Sequence, residues 1–479
     1  MSFETLLNSD PQFGRIKDIK TLKLTIKKHI KNTHTKNILV KYNLGNAIGI
    51  YLHNIPLFIE LFKPNFKVNF YLFGVKLASI NRAVDQNLSA KKEHQKRKNR
   101  IYFSIGKLAF ETKMTGIPRV VKELCTQGLN SNEITFVPIY LDLKDKKYRV
   151  ASFWIKSQTL DKNKNNLSFN TNEDIEISVQ KGDWIIYSGI DEKEWEHMKS
   201  FQRSFKKAGG MIGTILYDLI PIEYPQFCTA RASHAFKLWL YYVTEECNAV
   251  FSISKTVQDA YKNWLNTERP KKYTPYQGFF HLGANFNLNK TMKHDWLPAP
   301  LKKDLYYMQV STVEPRKGYS DLLAAFEKLW KNGISAALVI VGKKGWMVEE
   351  LSERIEKHPQ KGKLLFWFQN ASDEELQSLY HGARAIVFAS EAEGFGLAAM
   401  EGLYYGKPVI VRDIPVFREI GGNDLTYFNN GVTGLFDTLL ENWNSNINLR
   451  PKLNTIQRVI SWQQSYNQLI EQIKQASKS

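Results

Sequence analysis

The sequence predicts an α/β protein with two parallel-sheet domains behind an extra N-terminal region. From residue 101 onward, short apolar runs with strand character alternate with helical patterns, which is typical of βαβ units. Pro298 and Pro300 interrupt this alternation, and apolar runs lie on both sides of the interruption. We therefore expect two successive sheets, each built mainly from parallel strands.

The expected domain boundaries follow from these signals and from the length. A chain of 479 residues accommodates two or three domains, and 43% hydrophobic residues suffice for sizeable cores. The charge run KKEHQKRKNR at 91–100 indicates a linker. The predicted parts are a basic N-terminal accessory region at 1–99, a first α/β domain at 100–298, a second at 299–450 and a terminal segment at 451–479.

Ten apolar runs are the expected strands of the two sheets. The first domain contains IYFSI, ITFVPIYL, DWIIYSGI, MIGTILYDLI and AVFSIS, beginning at residues 101, 134, 183, 211 and 249. The second contains LYYMQVS, ALVIVG, KLLFWF, AIVFAS and PVIVRD, beginning at 305, 337, 363, 385 and 408. Short apolar runs of this kind, separated by helical patterns, favour strands buried on both faces.

The N-terminal region carries most of the positive charge. Residues 1–100 hold 19 Lys or Arg against 6 Asp or Glu, in a chain of net charge +19. Such an excess suits anionic lipid headgroups, pyrophosphate-linked substrates or nucleic acid through the same Coulomb attraction. No recognisable RNA- or DNA-binding motif accompanies the charge, so nucleic acid is not an expected partner.

The stretch at 46–80 is apolar but interrupted by charged residues and prolines. Its longest clean run is well short of the ~20 residues that span a bilayer, so no transmembrane helix is expected. Two interpretations stay open for residues 1–100: peripheral contact with an anionic membrane, or a small accessory domain. Residues 16–31 fit a helix and a strand equally well.

Cysteine usage and the N-terminus indicate a cytoplasmic protein. The three cysteines are odd in number, far apart, and lack the paired spacing of zinc sites. The segment MSFETLLNSDPQFGRIK has no apolar core of a secretory signal. We expect a cytoplasmic location, with attachment at the inner face of the membrane as the open alternative.

Residues 371–411 carry the pattern most informative about chemistry. Ser372 and Glu375 form a capping-box signature for a helix, which is followed by the strand AIVFAS and a turn containing Gly394 and Gly396. A glycine turn between a strand and a helix N-terminus forms an anion site, because backbone N–H groups there face a ligand that glycine allows to approach closely.

Two carboxylates flank this glycine turn. Glu393 lies in the loop before the helix, and Glu401 lies about one turn inside the helix. Both can project towards one bound nucleotide sugar, and a carboxylate accepts two hydrogen bonds from a vicinal diol.

The segment STVEPRKG, residues 311–318, supplies two cations. It follows a strand that ends at Val310, and it precedes a helix with an apolar face. Arg316 and Lys317 would therefore lie at the carboxyl end of a strand, beside the predicted diphosphate turn. There they would neutralise charge that develops on a departing nucleotide.

The first α/β domain contributes two weaker candidates. Gly116 lies in a loop that precedes a helix. The strand beginning at Met211 runs into Tyr217 and Asp218, where Asp218 could hold an acceptor hydroxyl or stabilise positive charge. A carboxylate that caps the turn after the strand is the alternative for Asp218.

In these motifs the chain resembles the family 4 retaining glycosyltransferases of the GT-B fold, in which two Rossmann-like domains face a central cleft. The E-x7-E spacing of Glu393 and Glu401, within EGFGLAAMEG and followed by GKPV, carries the resemblance. It implies that Glu393 meets the hydroxyls of the donor sugar and that Glu401 meets the nucleotide ribose. The turn between them, Gly394, Phe395, Gly396 and Leu397, is implied to bind the donor.

The resemblance extends to other segments. Arg316 and Lys317 match the phosphate-binding pair of the family, and Gly116 matches a glycine loop that lines the donor diphosphate and the acceptor cleft. Two positions depart from the usual pattern: Ser311 stands where many relatives have glycine, and Tyr217 stands where relatives often have histidine. The segments AVFSIS and HLGAN at 249–254 and 281–285 match interdomain elements, and ISWQQSYNQLIEQIKQ matches a terminal helix that crosses back to the first domain.

The implied reaction is transfer of a hexose from a nucleoside diphosphate sugar with retention at the anomeric carbon. YDLIP and STVEPRK look most like enzymes of bacterial surface-polysaccharide assembly, so GDP-mannose is the expected donor and a glycan or lipid-linked glycan the expected acceptor. The cationic pair makes a divalent metal unnecessary, and we expect neither metal nor cofactor. Asp218, Arg316, Lys317 and Glu393 are the expected catalytic residues. A catalytically silent scaffold subunit of a polysaccharide assembly is the alternative function.

Overall fold

A computed structural model describes residues 100–106, 116–131, 133–142, 144–152, 177, 179–189, 192–269, 274–285, 297, 301–445 and 459–479, with backbone alone for 192–198. It also describes the backbone of five strands between residues 38 and 81. The chain divides into two compact units, Met1–Arg97 and Lys98–Ser479. The ambiguous segment at 16–31 lies outside the described residues.

The described part of the first unit is an antiparallel sheet in which the strands pair in chain order, β1-β2-β3-β4-β5. Its strands are β1 (Ile38–Tyr42), β2 (Ala47–Leu52), β3 (Ile55–Phe62), β4 (Lys67–Leu72) and β5 (Val75–Asn81). The described residues of the apolar stretch at 46–80 therefore lie in successive strands, and Pro56, Glu60 and Lys67 are within them. Among the described residues of the chain, no helix is long and apolar enough to cross a membrane.

The second unit contains two separate sheets. The first has seven strands in the order β12-β11-β10-β9-β6-β7-β8, and only the β7–β8 pair is antiparallel. Its strands are β6 (Arg100–Ser104), β7 (Thr135–Asp142), β8 (Lys147–Val150), β9 (Trp184–Tyr187), β10 (Met211–Leu216), β11 (Ala249–Ser252) and β12 (Tyr276–Phe279).

The second sheet has six parallel strands in the order β15-β14-β13-β16-β17-β18. Its strands are β13 (Tyr306–Val310), β14 (Ala337–Val341), β15 (Leu365–Phe368), β16 (Ala385–Phe388), β17 (Val409–Arg412) and β18 (Thr426–Phe428). β13, β14 and β16 are almost entirely buried, as their continuous apolar sequences require.

The helices lie along both sheets in chain order. They are α1 (Ile117–Leu129), α2 (Glu192–Lys207), α3 (Ile220–Glu223), α4 (Ala230–Glu246), α5 (Lys255–Glu268), α6 (Tyr319–Lys331), α7 (Glu349–Glu356), α8 (Asp373–Gly382), α9 (Leu397–Tyr404), α10 (Pro415–Gly421), α11 (Gly431–Asn444) and α12 (Trp462–Ala476). The expected capping box forms at the start of α8, where Ser372 and Glu375 bond reciprocally. The prediction of two parallel-sheet α/β domains is confirmed, and all ten predicted runs are strands.

Helix α12 follows the second sheet in sequence but packs against the first domain. The Trp184 indole donates to the Ser477 hydroxyl at 2.9 Å, and the Trp462 backbone N–H donates to Asn285 at 2.7 Å. A Cβ on Gly283 would lie 2.4 Å from the Trp462 nitrogen, so glycine there permits the close approach of the two segments. The predicted return of the terminal helix to the first domain is therefore observed.

Candidate functional site

A cluster of two cations and a carboxylate lies where the second sheet faces the first. The Arg316 guanidinium is 3.1 Å from one Glu393 oxygen, and the Lys317 ammonium is 2.6 Å from the other. Arg316 also donates to the Ala392 carbonyl at 3.0 Å and pairs with Glu314 at 3.2 Å. The side chains of Lys317 and Glu393 are 11% and 8% exposed, so solvent screens this pair weakly.

Strand order brings this cluster together. The cations lie in a 3-10 turn between β13 and α6, and Glu393 lies in the loop between β16 and α9. Because β13 and β16 are hydrogen-bonded parallel neighbours, their carboxyl ends meet at one edge of the sheet. Gly318 permits the turn, since its φ is 65° and a Cβ there would lie 2.1 Å from the Ala389 carbonyl oxygen.

A buried amide joins the two loops, and the sequence reasoning missed it. Gln309 on β13 donates from its amide to the Lys317 carbonyl at 2.8 Å and accepts from the Ala389 N–H at 3.1 Å. One side chain therefore fixes the cation turn relative to the loop after β16. Its only sequence signal is a polar residue within an apolar run.

The charges in the cluster shift each other's proton affinity. Burial by itself raises the pKa of Glu393, but the Lys317 and Arg316 charges outweigh it and hold that pKa at about 2. Burial lowers the pKa of Lys317, and the Glu393 carboxylate opposes this. Glu393 is consequently ionised throughout the physiological range and can accept hydrogen bonds from a polyhydroxyl ligand.

Glu401 lies on α9, as predicted, but its partners come from two other elements. Its carboxylate accepts from the Tyr380 hydroxyl on α8 at 3.0 Å and from the Arg119 guanidinium on α1 at 2.5 Å. Arg119 belongs to the first domain, so this ion pair crosses the interface between the domains. Burial raises the pKa of Glu401, and Arg119 opposes the shift.

Sequence reasoning stopped at Gly116 in this segment and missed Arg119, three residues later. Gly116 is the N-cap of α1 with a φ of 64°, and a Cβ there would meet nothing within 4 Å. Glycine is favoured at 116 by backbone conformation, and the available space would admit a side chain. A basic residue in the first turn of a helix opposes the helix dipole, and that was the available signal for Arg119.

Gly394 lies in close contact with the first domain. A Cβ on Gly394 would lie 1.9 Å from the Tyr217 carbonyl oxygen and 3.2 Å from the Asp218 Cβ. The Ser254 hydroxyl at the N-cap of α5 donates to the Gly394 carbonyl at 2.8 Å. We predicted glycine here for the approach of a diphosphate; the described contact that requires it is the backbone of the first domain.

The rest of the glycine turn is partly buried. Phe395 is 4% exposed, and its ring lies 5.9 Å from the His281 ring. Gly396 is the N-cap of α9 with a φ of 84°, and a Cβ there would lie 2.5 Å from the Phe417 ring. Leu397 is the first residue of α9. Of these three positions, Gly396 and Leu397 place backbone at the helix N-terminus, whereas the Phe395 side chain is packed away from solvent.

Asp218 stands on the first-domain side of the same cluster. Its carboxylate accepts from the Ile220 N–H at 3.1 Å, which is the turn-capping role given as the alternative. Desolvation raises its pKa, and the Arg316 charge opposes the shift, so the two side chains are electrostatic neighbours. Asp218 therefore both caps the turn after β10 and lies near the cations.

The two residues that depart from the family pattern, Tyr217 and Ser311, both form hydrogen bonds in the structure. The Tyr217 hydroxyl donates to the Ser188 carbonyl at 2.8 Å. Burial raises its pKa, so the phenol stays protonated. The Ser311 hydroxyl lies 2.9 Å from the Tyr319 hydroxyl. Both side chains thus serve local packing.

A second interdomain contact, also missed from the sequence, is centred on Glu419 of α10. Its carboxylate accepts from the backbone N–H groups of Lys255 and Thr256 at 2.6 and 2.7 Å and from the Thr256 hydroxyl at 2.6 Å. The His281 ring lies 2.7 Å away. Glu419 therefore caps the N-terminus of α5 from the other domain.

This contact borders a cavity of about 290 Å³ that is lined by His281, Leu282, Ala284, Phe395, Met400, Glu419, Ile420, Val459 and Ile460. Within the described residues, no group of three or more His, Cys, Asp or Glu side chains is arranged to hold a metal ion.

Family comparison gives the class of the second domain. Residues 294–435 match the family model described as "Glycosyl transferases group 1". This span contains the cluster of Arg316, Lys317 and Glu393, so the candidate site lies within a glycosyltransferase group 1 domain.

The chain is similar in sequence to curated bacterial mannosyltransferases. It is 31% identical over 400 residues to the serotype-specific mannosyltransferase WbdA of Escherichia coli, covering 80% of this chain and 47% of that protein. It is 27% identical over 214 residues to the O-antigen chain mannosyltransferase RfbU of Salmonella typhimurium (strain LT2), covering 45% and 55% of the two chains. The chain spans about half the length of these curated relatives.

Solved structures agree with the fold. A glycosyltransferase from Rickettsia africae is 16% identical with a TM-score of 0.52, over 80% of this chain and 99% of that chain. The sucrose-phosphate synthase of Thermosynechococcus elongatus is 16% identical with a TM-score of 0.51, over 79% and 99% of the two chains. The predicted GT-B fold is thereby confirmed.

Proposed function

We propose that this chain is a retaining, metal-independent mannosyltransferase of the family 4 type that uses GDP-mannose in surface-polysaccharide synthesis. The observation that carries the proposal is the buried cluster of Arg316, Lys317 and Glu393 within the group 1 domain, with Asp218 facing it from the first domain. The names of the sequence relatives support mannose as the transferred sugar.

In the proposed reaction, Arg316 and Lys317 hold the diphosphate while the bond between the anomeric carbon and the phosphate oxygen breaks. Both cations stand at the edge where β13 and β16 end, so their charge is in place before negative charge develops. Two fixed cations supply the electrostatic stabilisation that a divalent metal would otherwise supply, which is the reason for proposing metal independence.

Two carboxylates recognise the donor on either side of the diphosphate. Glu393 is ionised, buried and held by both cations, so it is suited to accept hydrogen bonds from sugar hydroxyls. Glu401 is assigned to the nucleotide ribose. The N-terminus of α9, at Gly396 and Leu397, is assigned to the phosphates, because the partial positive charge of a helix N-terminus favours anions.

Asp218 is assigned to the acceptor side. Its raised pKa suits a carboxylate that accepts a hydrogen bond from an acceptor hydroxyl, and its position beside the cluster also allows it to stabilise positive charge at the anomeric carbon. The acceptor is a glycan or lipid-linked glycan, and attack occurs on the face from which the diphosphate leaves.

A transfer assay tests this function. The purified chain is incubated with GDP-mannose, a mannose-terminated oligosaccharide and EDTA, and the product linkage is assigned by NMR. The proposal predicts an α-mannoside whose formation is abolished by Lys317→Ala and Glu393→Ala. Transfer by wild type only after a divalent metal is added would contradict metal independence, and a β-linked product would contradict retention.

The silent-scaffold alternative predicts a different result in the same assay. A scaffold would bind no donor and form no product with any acceptor. The cluster disfavours that outcome, because Arg316, Lys317 and Glu393 form a buried charged group that can bind an anionic donor.

For residues 1–100 we propose peripheral contact with anionic membrane at the inner face, carried by the excess of 19 basic over 6 acidic residues. Vesicles containing anionic lipid should sediment the full chain at low salt and release it at high salt. Equal binding to neutral vesicles would contradict this proposal.

A further inference from the structure

Four large side chains lie where a loop of one α/β domain contacts a turn of the other. Tyr224 and Phe227 follow Asp218 in the first domain, and Trp346 and Met347 follow β14 in the second. We call these four residues the aromatic rim. Tyr224, Trp346 and Met347 are 36%, 42% and 51% exposed, which is unusual for side chains of this size and composition.

The rim joins both domains through one directed contact. The Trp346 indole N–H donates to the Phe227 carbonyl at 3.0 Å, so the indole has a partner for its polar atom. The rings of Phe227 and Tyr224 are stacked, with centroids 6.1 Å apart and an interplanar angle of 16°. The arrangement holds exposed rings in fixed orientations on both sides of the cleft.

Backbone hydrogen bonds join the loop that carries Trp346 to Val313, in the segment that precedes Arg316 and Lys317. Gly345 donates to the Val313 carbonyl at 2.9 Å, and Val313 donates to the Lys343 carbonyl at 2.8 Å. A Cβ on Gly345 would lie 2.6 Å from the Val313 oxygen, so glycine permits this contact. Trp346 therefore keeps a fixed position relative to Arg316, three residues beyond Val313.

Met347 adopts a φ of 53°, which is uncommon for a residue other than glycine, asparagine or aspartate. A left-handed conformation of this kind costs energy and persists where the surrounding structure imposes it, often at ligand sites. Here it leaves an apolar side chain half exposed beside Trp346.

The other half of the rim is fixed to the acceptor-side carboxylate. The short helix α3 starts where Ile220 donates to Asp218, and the 3-10 turn Pro225–Phe227 follows it. Cys228, the next residue, is electrostatically coupled to the site: burial raises the pKa of its thiol, Asp218 adds to the shift and Arg316 opposes it. The rim thus borders the candidate site on the Asp218 side.

We propose that the aromatic rim is the platform on which sugar rings of the acceptor glycan stack. A pyranose presents a face of axial C–H groups with slight positive charge, and an aromatic ring presents a face of negative charge, so the two faces attract while apolar area is buried. Exposed, fixed aromatic rings are suited to this ligand class, because they lose little conformational entropy on binding.

This inference rests on the proposed function, since it assigns the acceptor side of the same reaction. The donor is assigned to Glu393, Glu401 and the two cations, whereas the rim adjoins Asp218. Both domains contribute rings, so an occupant of the rim also contacts both sides of the closed cleft. A linear glycan that enters the cleft with its terminal sugar at Asp218 has its preceding sugars at the rim.

The test compares acceptor binding with donor binding in the same variants. Saturation-transfer NMR with an α-linked mannotriose reports acceptor binding, and calorimetric titration with GDP-mannose reports donor binding. Trp346→Ala and Phe227→Ala should each weaken mannotriose binding about ten-fold and leave GDP-mannose affinity unchanged. Trp346→Phe, which keeps an aromatic face, should restore most of the lost affinity.

Leu305→Ala is the matched control, because Leu305 is 43% exposed and precedes β13 at the opposite edge of the sheet. Leu305→Ala should change neither the binding of mannotriose nor the affinity for GDP-mannose. The proposal is overturned if the rim variants bind mannotriose as wild type does, if they weaken GDP-mannose instead, or if the rim variants dissociate a dimer of wild type in sedimentation equilibrium. Failure of wild type to bind any donor would count against the proposed function, whereas donor binding without binding of any glycan would count against the rim alone.

Discussion

The contact between Gly394 and Tyr217 sets how closely the donor site approaches the first domain, and Gly394→Ala perturbs it with one carbon atom. The added Cβ would lie 1.9 Å from the Tyr217 carbonyl oxygen. A carbon atom and a carbonyl oxygen approach to about 3.3 Å, so the domains or the loop must separate by about 1.4 Å. This oxygen belongs to the backbone, which cannot rotate out of the way as a side chain could.

Two quantities should change. Overpacking of this kind costs about 1–3 kcal/mol of the free energy of unfolding. The larger effect is on activity, because a displacement of about 1 Å between reacting groups can lower the rate about 100-fold. We therefore expect kcat/KM for mannosyl transfer to fall far more than the loss of stability explains, since the displaced loop also carries Glu393.

Gly362→Ala is the control for destabilisation without displacement of the cleft. Gly362 has a φ of 74°, and a Cβ there meets nothing within 4 Å. The variant should lose roughly 1 kcal/mol through backbone strain and keep its activity. Urea unfolding and the transfer assay are run on both variants. Wild-type kcat/KM in Gly394→Ala would refute the conclusion that this contact sets the geometry of the site.

Three further predictions concern charged groups. Glu393→Gln should lower the free energy of unfolding by on the order of 3 kcal/mol at pH 7, because the pKa of Glu393 is lowered from 4.5 to about 2 in the folded state. This contribution to the free energy of unfolding is present above the unfolded pKa and is lost as the pH falls from 4.5 towards 2. Urea unfolding at several pH values should therefore show that the difference in stability between wild type and Glu393→Gln shrinks in acid. A difference that stays constant with pH would contradict this prediction. Arg119→Ala leaves the buried carboxylate of Glu401 without its cation, so GDP-mannose affinity should fall about ten-fold or more in calorimetric titration and recover partly in Arg119→Lys. Glu419→Gln weakens the cap that joins the domains. The pKa of Glu419 is about 2, since its hydrogen bonds, that of His281 foremost, outweigh the effect of burial. The protection factors of the α5 amides, which correct for the intrinsic pH dependence of exchange, should therefore be lower in the variant at pH 7, and in wild type should fall only as the pH drops from about 4.5 towards 2.

The sequence predicted the two sheets well because their strands are buried on both faces. Continuous apolar runs such as AIVFAS and ALVIVG leave little choice but a central parallel strand. The three strands of the second unit that were not predicted, β8, β12 and β18, are short and have residues that are partly exposed. Their sequences lack the continuous apolar character that identified the other ten.

The candidate site was predictable where it depended on chain neighbours, and less so where it depended on the other domain. Glu393, Glu401, Arg316 and Lys317 lie in motifs, and parallel strand order brings three of them together. Gln309, Arg119 and Glu419 act across elements distant in sequence, so no local spacing identifies them. The reason for glycine at 394 was likewise hidden, because it depends on a carbonyl oxygen 177 residues earlier in the chain.

Three polar contacts across the interface between the α/β domains hold residues of the candidate site and its surroundings in place. Arg119 with Glu401, Ser254 with Gly394, and Glu419 with α5 each cross it. Two of these contacts involve a largely buried carboxylate: the side chains of Glu401 and Glu419 are 4% and 15% exposed. Charged groups held in this way have defined orientations before any ligand arrives, which is what electrostatic stabilisation of a departing diphosphate requires.

The central claim is that the cluster of Arg316, Lys317 and Glu393 binds a nucleoside diphosphate sugar without a metal. The most direct measurement is a calorimetric titration of the full chain with a panel of these donors in the presence of EDTA, repeated with Lys317→Ala and Glu393→Ala. We predict selective binding of GDP-mannose by wild type and its loss in both variants. Absence of binding to every donor, or equal binding by wild type and the two variants, would contradict the assignment of this cluster as the donor site.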